Sequence, residues 1–125
     1  MDDSNDSSSP RRVLVVDDDD AVRRAVERWL VRAEFEVDGV SNGVDAIDHV
    51  RDTPYDVVTM DIQMPGMSGI EAISRIRALR PDIPIIVISG YYSEEGELHR
   101  LKPSLVLTKP VSLADLEAEV RKLLH

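Results

Sequence analysis

The sequence predicts an α/β fold built on one doubly wound parallel sheet. Three observations predict it. Short apolar runs alternate with amphipathic stretches along most of the chain. The runs are continuous rather than alternating, as expected of strands covered on both faces. The β-then-α order repeats five times, and right-handed crossovers then put helices on both sides of the sheet. At 125 residues the chain is long enough for one domain with its own core and too short for two.

Residues 1–10 are acidic and Ser-rich and lack the apolar centre of a signal peptide, so they are expected to form a mobile tail ending at Pro10, with the folded domain over 11–125. Val13 to Val16 is the first strand. The helix after it carries Ala21, Val22, Ala25, Val26, Trp29 and Leu30 on one face, with Arg23, Arg24, Glu27 and Arg28 opposite. Asp19 and Asp20 read as an acidic helix start, one of them the N-cap, and Trp29 is expected in the core or at its margin. Phe35 to Val40 is a weaker second strand. Gly43 to Val50 is a short helix with Asn42 as its cap. Tyr55 to Met60 is the third strand.

Ile70, Ile73, Ile76 and Leu79 recur at helical spacing behind Ser68 and Glu71, a capping-box pair. Ile83 to Ile88 and Leu105 to Leu107 supply the last two strands. Leu113, Leu116, Val120 and Leu123 mark the final helix, opened by Ser112 and Asp115. Between the last two strands, Gly96 and Pro103 suit a helix interior poorly, so the helix there, near Ser93 to Leu101, is expected to be short or irregular.

Composition narrows the function. Cysteine is absent, which excludes disulfides, zinc–thiolate sites and cysteine nucleophiles and fits a reducing, cytoplasmic setting. With 15 basic and 24 acidic residues the formal charge is −9, unfavourable for non-specific contact with nucleic acid or anionic membrane. No apolar run approaches membrane-spanning length. His49, His99 and His125 lack metal-ligand spacing and read as surface residues, and Met60, Met64 and Met67 as packing or loop residues.

In open parallel sheets chemistry gathers outside the carboxyl ends of the strands. Here the first strand runs into Asp17, Asp18, Asp19 and Asp20, the third ends in Asp61, the fourth in Ser89 and Gly90, and the fifth in Thr108, Lys109 and Pro110. Folding would collect carboxylates, a hydroxyl and an ammonium on one edge. Clustered carboxylates repel, and a hard divalent ion such as Mg²⁺ resolves that repulsion. Asp61 could then act as a nucleophile that forms an acyl phosphate, with Ser89 and Lys109 on the phosphate oxygens.

The segments VLVVDDDD at 13–20, YDVVTMDIQMPGMSG at 55–69, IPIIVISG at 83–90 and LTKP at 107–110 occur in order and at near-family spacing. Through them the chain resembles the receiver domain of bacterial two-component response regulators over nearly all of Arg12 to Leu124. The resemblance implies a flavodoxin-like (βα)5 fold with strand order 2-1-3-4-5. It implies Asp61 as phosphoacceptor, and Mg²⁺ held by Asp18, by Asp17 through water, by Asp61 and by the Gln63 carbonyl. It further implies Ser89 as switch hydroxyl, Lys109 on the phosphate, a cis Lys109–Pro110 bond, and Pro65, Gly66 and Gly69 shaping the loop after the acceptor.

The implied partners are a sensor histidine kinase or histidine phosphotransfer protein, and a downstream protein or an output domain of the same regulator. Neither direct nucleic-acid nor membrane contact is expected, and the chain is expected to be a monomer or weak dimer. It is not expected to be an enzyme beyond catalysing its own phosphorylation and dephosphorylation.

The sequence departs from the family pattern in two places. Val106 stands where an aromatic often precedes the lysine by three, and Tyr91 or Tyr92 is a candidate substitute. The stretch from Ser89 to Lys109 is also shorter than usual by about two residues relative to the common spacing. Gln63 and Tyr91, two past the acceptor and two past the serine, flank the site at positions that tune phosphoryl lifetime in the family. Two other functions compete: a dehalogenase-like phosphatase, which needs an acid where Gln63 stands, and a receiver-like interaction module that is no longer phosphorylated.

Overall fold

A computed structural model describes residues 10–64, 66–90 and 100–124. Five strands form a single parallel sheet in the order β2-β1-β3-β4-β5. They are β1 (Arg12–Val16), β2 (Glu36–Val40), β3 (Val57–Asp61), β4 (Ile85–Ser89) and β5 (Leu105–Thr108). The described helices are α1 (Asp20–Arg32), α2 (Gly43–Asp52), α3 (Gly69–Leu79) and α4 (Leu113–Leu123). The tail at 1–9, Pro65, and the 91–99 segment with Tyr91, Tyr92 and most of the expected irregular helix lie outside the described residues, as do His99 and His125.

The sheet divides the core in two. Alternate side chains of the central strands (Leu14, Val16, Val58, Met60, Ile85 and Val87) face α2 and α3 and meet Ala46, Val50, Ile70, Ile73 and Ile76. The intervening ones (Val13, Val15, Val57 and Ile86) face α1 and α4 and meet Val26, Leu30, Leu116 and Val120. Both faces are thus covered, which is why the central strands read as unbroken apolar runs. Met60 is fully buried, and Met64, Met67 and Val106 pack partly buried against the first cluster.

Each helix starts where its cap stands. The carboxylate of Asp19 accepts from the Val22 N–H, the amide oxygen of Asn42 from Asp45, Ser68 Oγ from Glu71 and Ser112 Oγ from Asp115. Asp19, not Asp20, is therefore the cap of α1. The return arm expected of Glu71 is replaced by an ion pair with Arg75 at 3.0 Å, one turn along.

Two helix faces differ from the periodic reading. Leu79 is 42% exposed, because α3 ends there as the chain turns away. On α1, Val22 and Trp29 lie at the exposed edge of the apolar face, and the Trp29 indole donates to Glu117 Oε1 on α4 at 2.8 Å. Arg23, expected opposite that face, instead folds inward with its side chain 12% exposed. At the opposite end of the sheet, the Arg77 guanidinium donates to the carbonyls of Leu101, Lys102, Pro81 and Ile83 and so ties the entries of β4 and β5 together.

Candidate phosphoacceptor and metal site

Register brings the predicted residues together. Asp61 is in line with Ile88 across the β3–β4 ladder, so Ser89 lies just beyond it on the neighbouring strand. Ser89 in turn pairs with Thr108, and the Ser89 carbonyl accepts from the Lys109 N–H at 2.7 Å. On the other side, Met60 is in line with Val16, which places Asp17 and Asp18, one and two residues past β1, beside Asp61. Carboxylate oxygens of Asp17, Asp18 and Asp61 all lie within 4.8 Å of one another.

Asp61 is only 2% exposed, and both its oxygens are engaged. The Gln63 N–H donates to Oδ1 at 2.9 Å, and Lys109 Nζ donates to Oδ2 at 3.1 Å. The Lys109–Pro110 bond is cis, as the resemblance implied. Asp17 is 7% exposed and accepts from the Asp19 N–H at 2.9 Å, while Asp18 is exposed. Burial pushes the Asp17 carboxyl above its ordinary value. The Asp19 N–H and Lys109 oppose that rise, and the Asp61 and Asp18 carboxylates add to it. Three carboxylates with oxygens this close, one of them with its ionised form disfavoured, suit a hard divalent cation such as Mg²⁺.

The loop after Asp61 depends on two glycines. Gly66 has φ +78°, the left-handed region that glycine enters without strain. A Cβ on Gly69 would lie 2.3 Å from Ile62 Cα and 2.8 Å from the Asp61 carbonyl oxygen, so α3 can start against the end of β3 only without a side chain there.

Two contacts escaped the sequence reading. Arg23 donates through Nη1 to the Asp17 carbonyl at 2.9 Å and through Nη2 to Asp20 at 2.7 Å, which braces the β1–α1 loop. Its i−3 and i+4 acidic neighbours, Asp20 and Glu27, were the available signal. The Gln63 side chain makes the second: its Oε1 accepts from the Gly90 N–H at 2.9 Å. Beside the site, a cleft of about 680 Å³ opens between α1 and α4, walled by Val22, Ala25, Val111 and Leu113 and reaching Asp17 and Lys109.

A doubly wound domain with an acidic pocket and a lysine at the carboxyl ends of its strands has the layout of a phosphoacceptor switch. The chain is a member of the response regulator family: the response regulator receiver domain model matches residues 13–121. It is similar to the transcriptional regulatory protein PrrA of Mycobacterium leprae, 38% identical over 120 residues, covering 94% of this chain and 51% of PrrA. It is also similar to the response regulator receiver protein CpdR of Brucella abortus, 32% identical over 105 residues, covering 82% of this chain and 88% of CpdR. The chain thus spans about half the length of PrrA and most of that of CpdR. Among solved structures it resembles the response regulator TrrA of Thermotoga maritima in complex with Mg²⁺–BeF, with TM-score 0.82 and 32% identity over 90% of this chain and 98% of that one. No helix among the described residues is long and apolar enough to cross a membrane.

Proposed function

We propose that Asp61 accepts a phosphoryl group from a phosphohistidine on a partner kinase or phosphotransfer protein, in the cytoplasm. The observation that carries this reading is the state of Asp61: a buried carboxylate with an ammonium on one oxygen, a backbone N–H on the other, and two further carboxylates within 4.8 Å. Asp18, Asp61, the Gln63 carbonyl and, through water, Asp17 would hold Mg²⁺. When bound, the ion offsets charge on the transferring oxygens.

An ionised carboxylate oxygen of Asp61 attacks phosphorus without a general base. The new P–O bond forms as the partner's P–N bond breaks, and the departing imidazole nitrogen takes a proton. Lys109 moves its ammonium from Asp61 Oδ2 onto a phosphoryl oxygen, and the Ser89 hydroxyl donates to another. The apolar cleft between α1 and α4 opens beside Asp17 and Lys109, a surface on which the donor protein docks. The folded domain spans residues 11–125, acts as a monomer or weak dimer, and passes the signal to a downstream protein or to an output domain by a shift between two conformations.

Intact mass after incubation with acetyl phosphate tests this reading. A single phosphoryl adduct that requires Mg²⁺ and is absent from Asp61→Asn is the expected result. A folded protein that gains no adduct, and does not bind beryllofluoride with Mg²⁺, overturns it in favour of an interaction module without phosphorylation.

A further inference from the structure

Gln63 is fastened to the site at two points. Its backbone N–H donates to Asp61 Oδ1 at 2.9 Å, and its side-chain Oε1 accepts from the Gly90 N–H at 2.9 Å. The second bond stands where the sheet would otherwise have continued. The Ile62 N–H donates to the Ile88 carbonyl, so the next β4 donor facing β3 is the Gly90 N–H, and its ladder acceptor would be the Ile62 carbonyl. That carbonyl is taken by the Gly69 N–H at the start of α3. The Gly90 N–H is left directed across the gap between the ends of β3 and β4, next to the buried Asp61, and the Gln63 amide closes over it.

A phosphoryl group on Asp61 brings three strong acceptor oxygens into that gap. The Lys109 ammonium serves one and the Ser89 hydroxyl another. The backbone donor that follows Ser89 is Gly90. We propose that the Gln63 side chain is a latch on the unphosphorylated state: it occupies the Gly90 N–H that the phosphoryl group recruits, and phosphorylation proceeds with release of Gln63. This inference rests on the phosphoacceptor reading of Asp61.

Residue 90 is matched to the latch. A Cβ there would lie 2.8 Å from Gln63 Oε1, the mobile end of a surface side chain, with its nearest other atoms at 3.6 Å. Gly90→Ala therefore keeps the N–H and dislodges the glutamine, whereas Gln63→Ala removes the acceptor itself. The two substitutions break one bond from opposite sides, so their effects on anion binding coincide and do not add.

The experiment measures amide hydrogen exchange at Gly90 without Mg²⁺, and beryllofluoride affinity with Mg²⁺, in the parent, Gln63→Ala, Gly90→Ala and the double variant. The latch requires Gly90 to exchange about 10-fold faster in Gln63→Ala, on the scale of one lost hydrogen bond. It requires both single variants to bind beryllofluoride about 3- to 10-fold more tightly, and the double variant no more tightly than either. Binding by all four chains with equal affinity, additive gains, or a Gly90 exchange rate indifferent to Gln63 overturns the latch and leaves the phosphoacceptor reading standing. Failure of every chain to bind beryllofluoride overturns both.

Discussion

Two charged clusters cap opposite ends of the same sheet, and they are built to opposite ends. At the amino ends of the strands, Arg12 pairs with Glu36 at 2.8 Å and reaches Asp38 at 3.9 Å, while Arg11 reaches Asp56 at 4.0 Å. Those side chains are all between 36% and 54% exposed, so water screens them and signs nearly balance. Tyr55 donates to Asp38 at 2.6 Å, and its hydroxyl pKa is raised by burial first and by Asp38 next. At the carboxyl ends, Asp61 and Asp17 are buried and one ammonium faces three carboxylates. The lower cluster finishes a surface. The upper one buries carboxylates beside one another, with Lys109 offsetting their charge only in part, an arrangement that a divalent cation is suited to relieve.

The largest expected effect is that of Lys109→Met. Removing the single ammonium strips the transferring group of its fixed counter-charge, and phosphorylation by acetyl phosphate should slow by about 10²-fold or more, the scale seen when one preorganised donor is lost. A rate within a few-fold of the parent would show that the cation, rather than the lysine, carries the electrostatics. Next is Gly69→Ala. Its Cβ meets the backbone of Asp61 and Ile62, so chemical denaturation should show a loss of about 1–3 kcal/mol, as for overpacking elsewhere, with Asp61 displaced as well.

Asp17→Asn sharpens the comparison further, because its sign depends on the ion. The raised pKa of Asp17 means that its contribution to stability is full below the unfolded value and is lost as pH rises through the folded value. In Mg²⁺-free buffer near neutrality Asp17→Asn should therefore be more stable than the parent, by on the order of 1 kcal/mol, with the gain fading as pH falls into the carboxylate range. Added Mg²⁺ should raise the melting temperature of the parent and do much less for the variant. A variant less stable than the parent in chelator would show that hydrogen bonding at Asp17 outweighs the cost of burying its charge beside Asp61 and Asp18.

The sequence made the architecture legible because both signals it carries are local. Continuous apolar runs marked the central strands, and each helix start carried a side-chain acceptor in the register the backbone uses. The candidate site residues were legible for the same reason: Asp61 and Ser89 end strands, Asp17, Asp18 and Lys109 follow directly on strand ends, and parallel register carries them to one edge. What was not legible is set across the sequence. Arg23 read as a solvated helix residue: Asp20 and Glu27 were a local signal of pairing, but they do not show that its guanidinium turns back onto the Asp17 carbonyl. The Gln63–Gly90 bond spans 27 positions, and the Arg77 contacts with residues 101 and 102 span 24 and 25. Such bonds depend on where loops meet after folding, which periodicity does not encode.

The smallest effect is expected at the lower cluster, and it is the control that gives the others meaning. Arg12→Ala removes the guanidinium from Glu36 and Asp38 but leaves the Arg12 backbone, whose N–H donates to Asp56 at 2.7 Å and whose carbonyl accepts from Asp56 at 2.8 Å. The strand register therefore survives the change. Exposed ion pairs contribute about 0–1 kcal/mol, so denaturation should show a loss in that range, shrinking further in high salt, with phosphorylation of Asp61 unchanged. A loss of several kcal/mol, or a change in Mg²⁺ dependence, would mean that the two ends of the sheet are coupled through β1, and that the functional strain at Asp17 is balanced from the far end of the same strand.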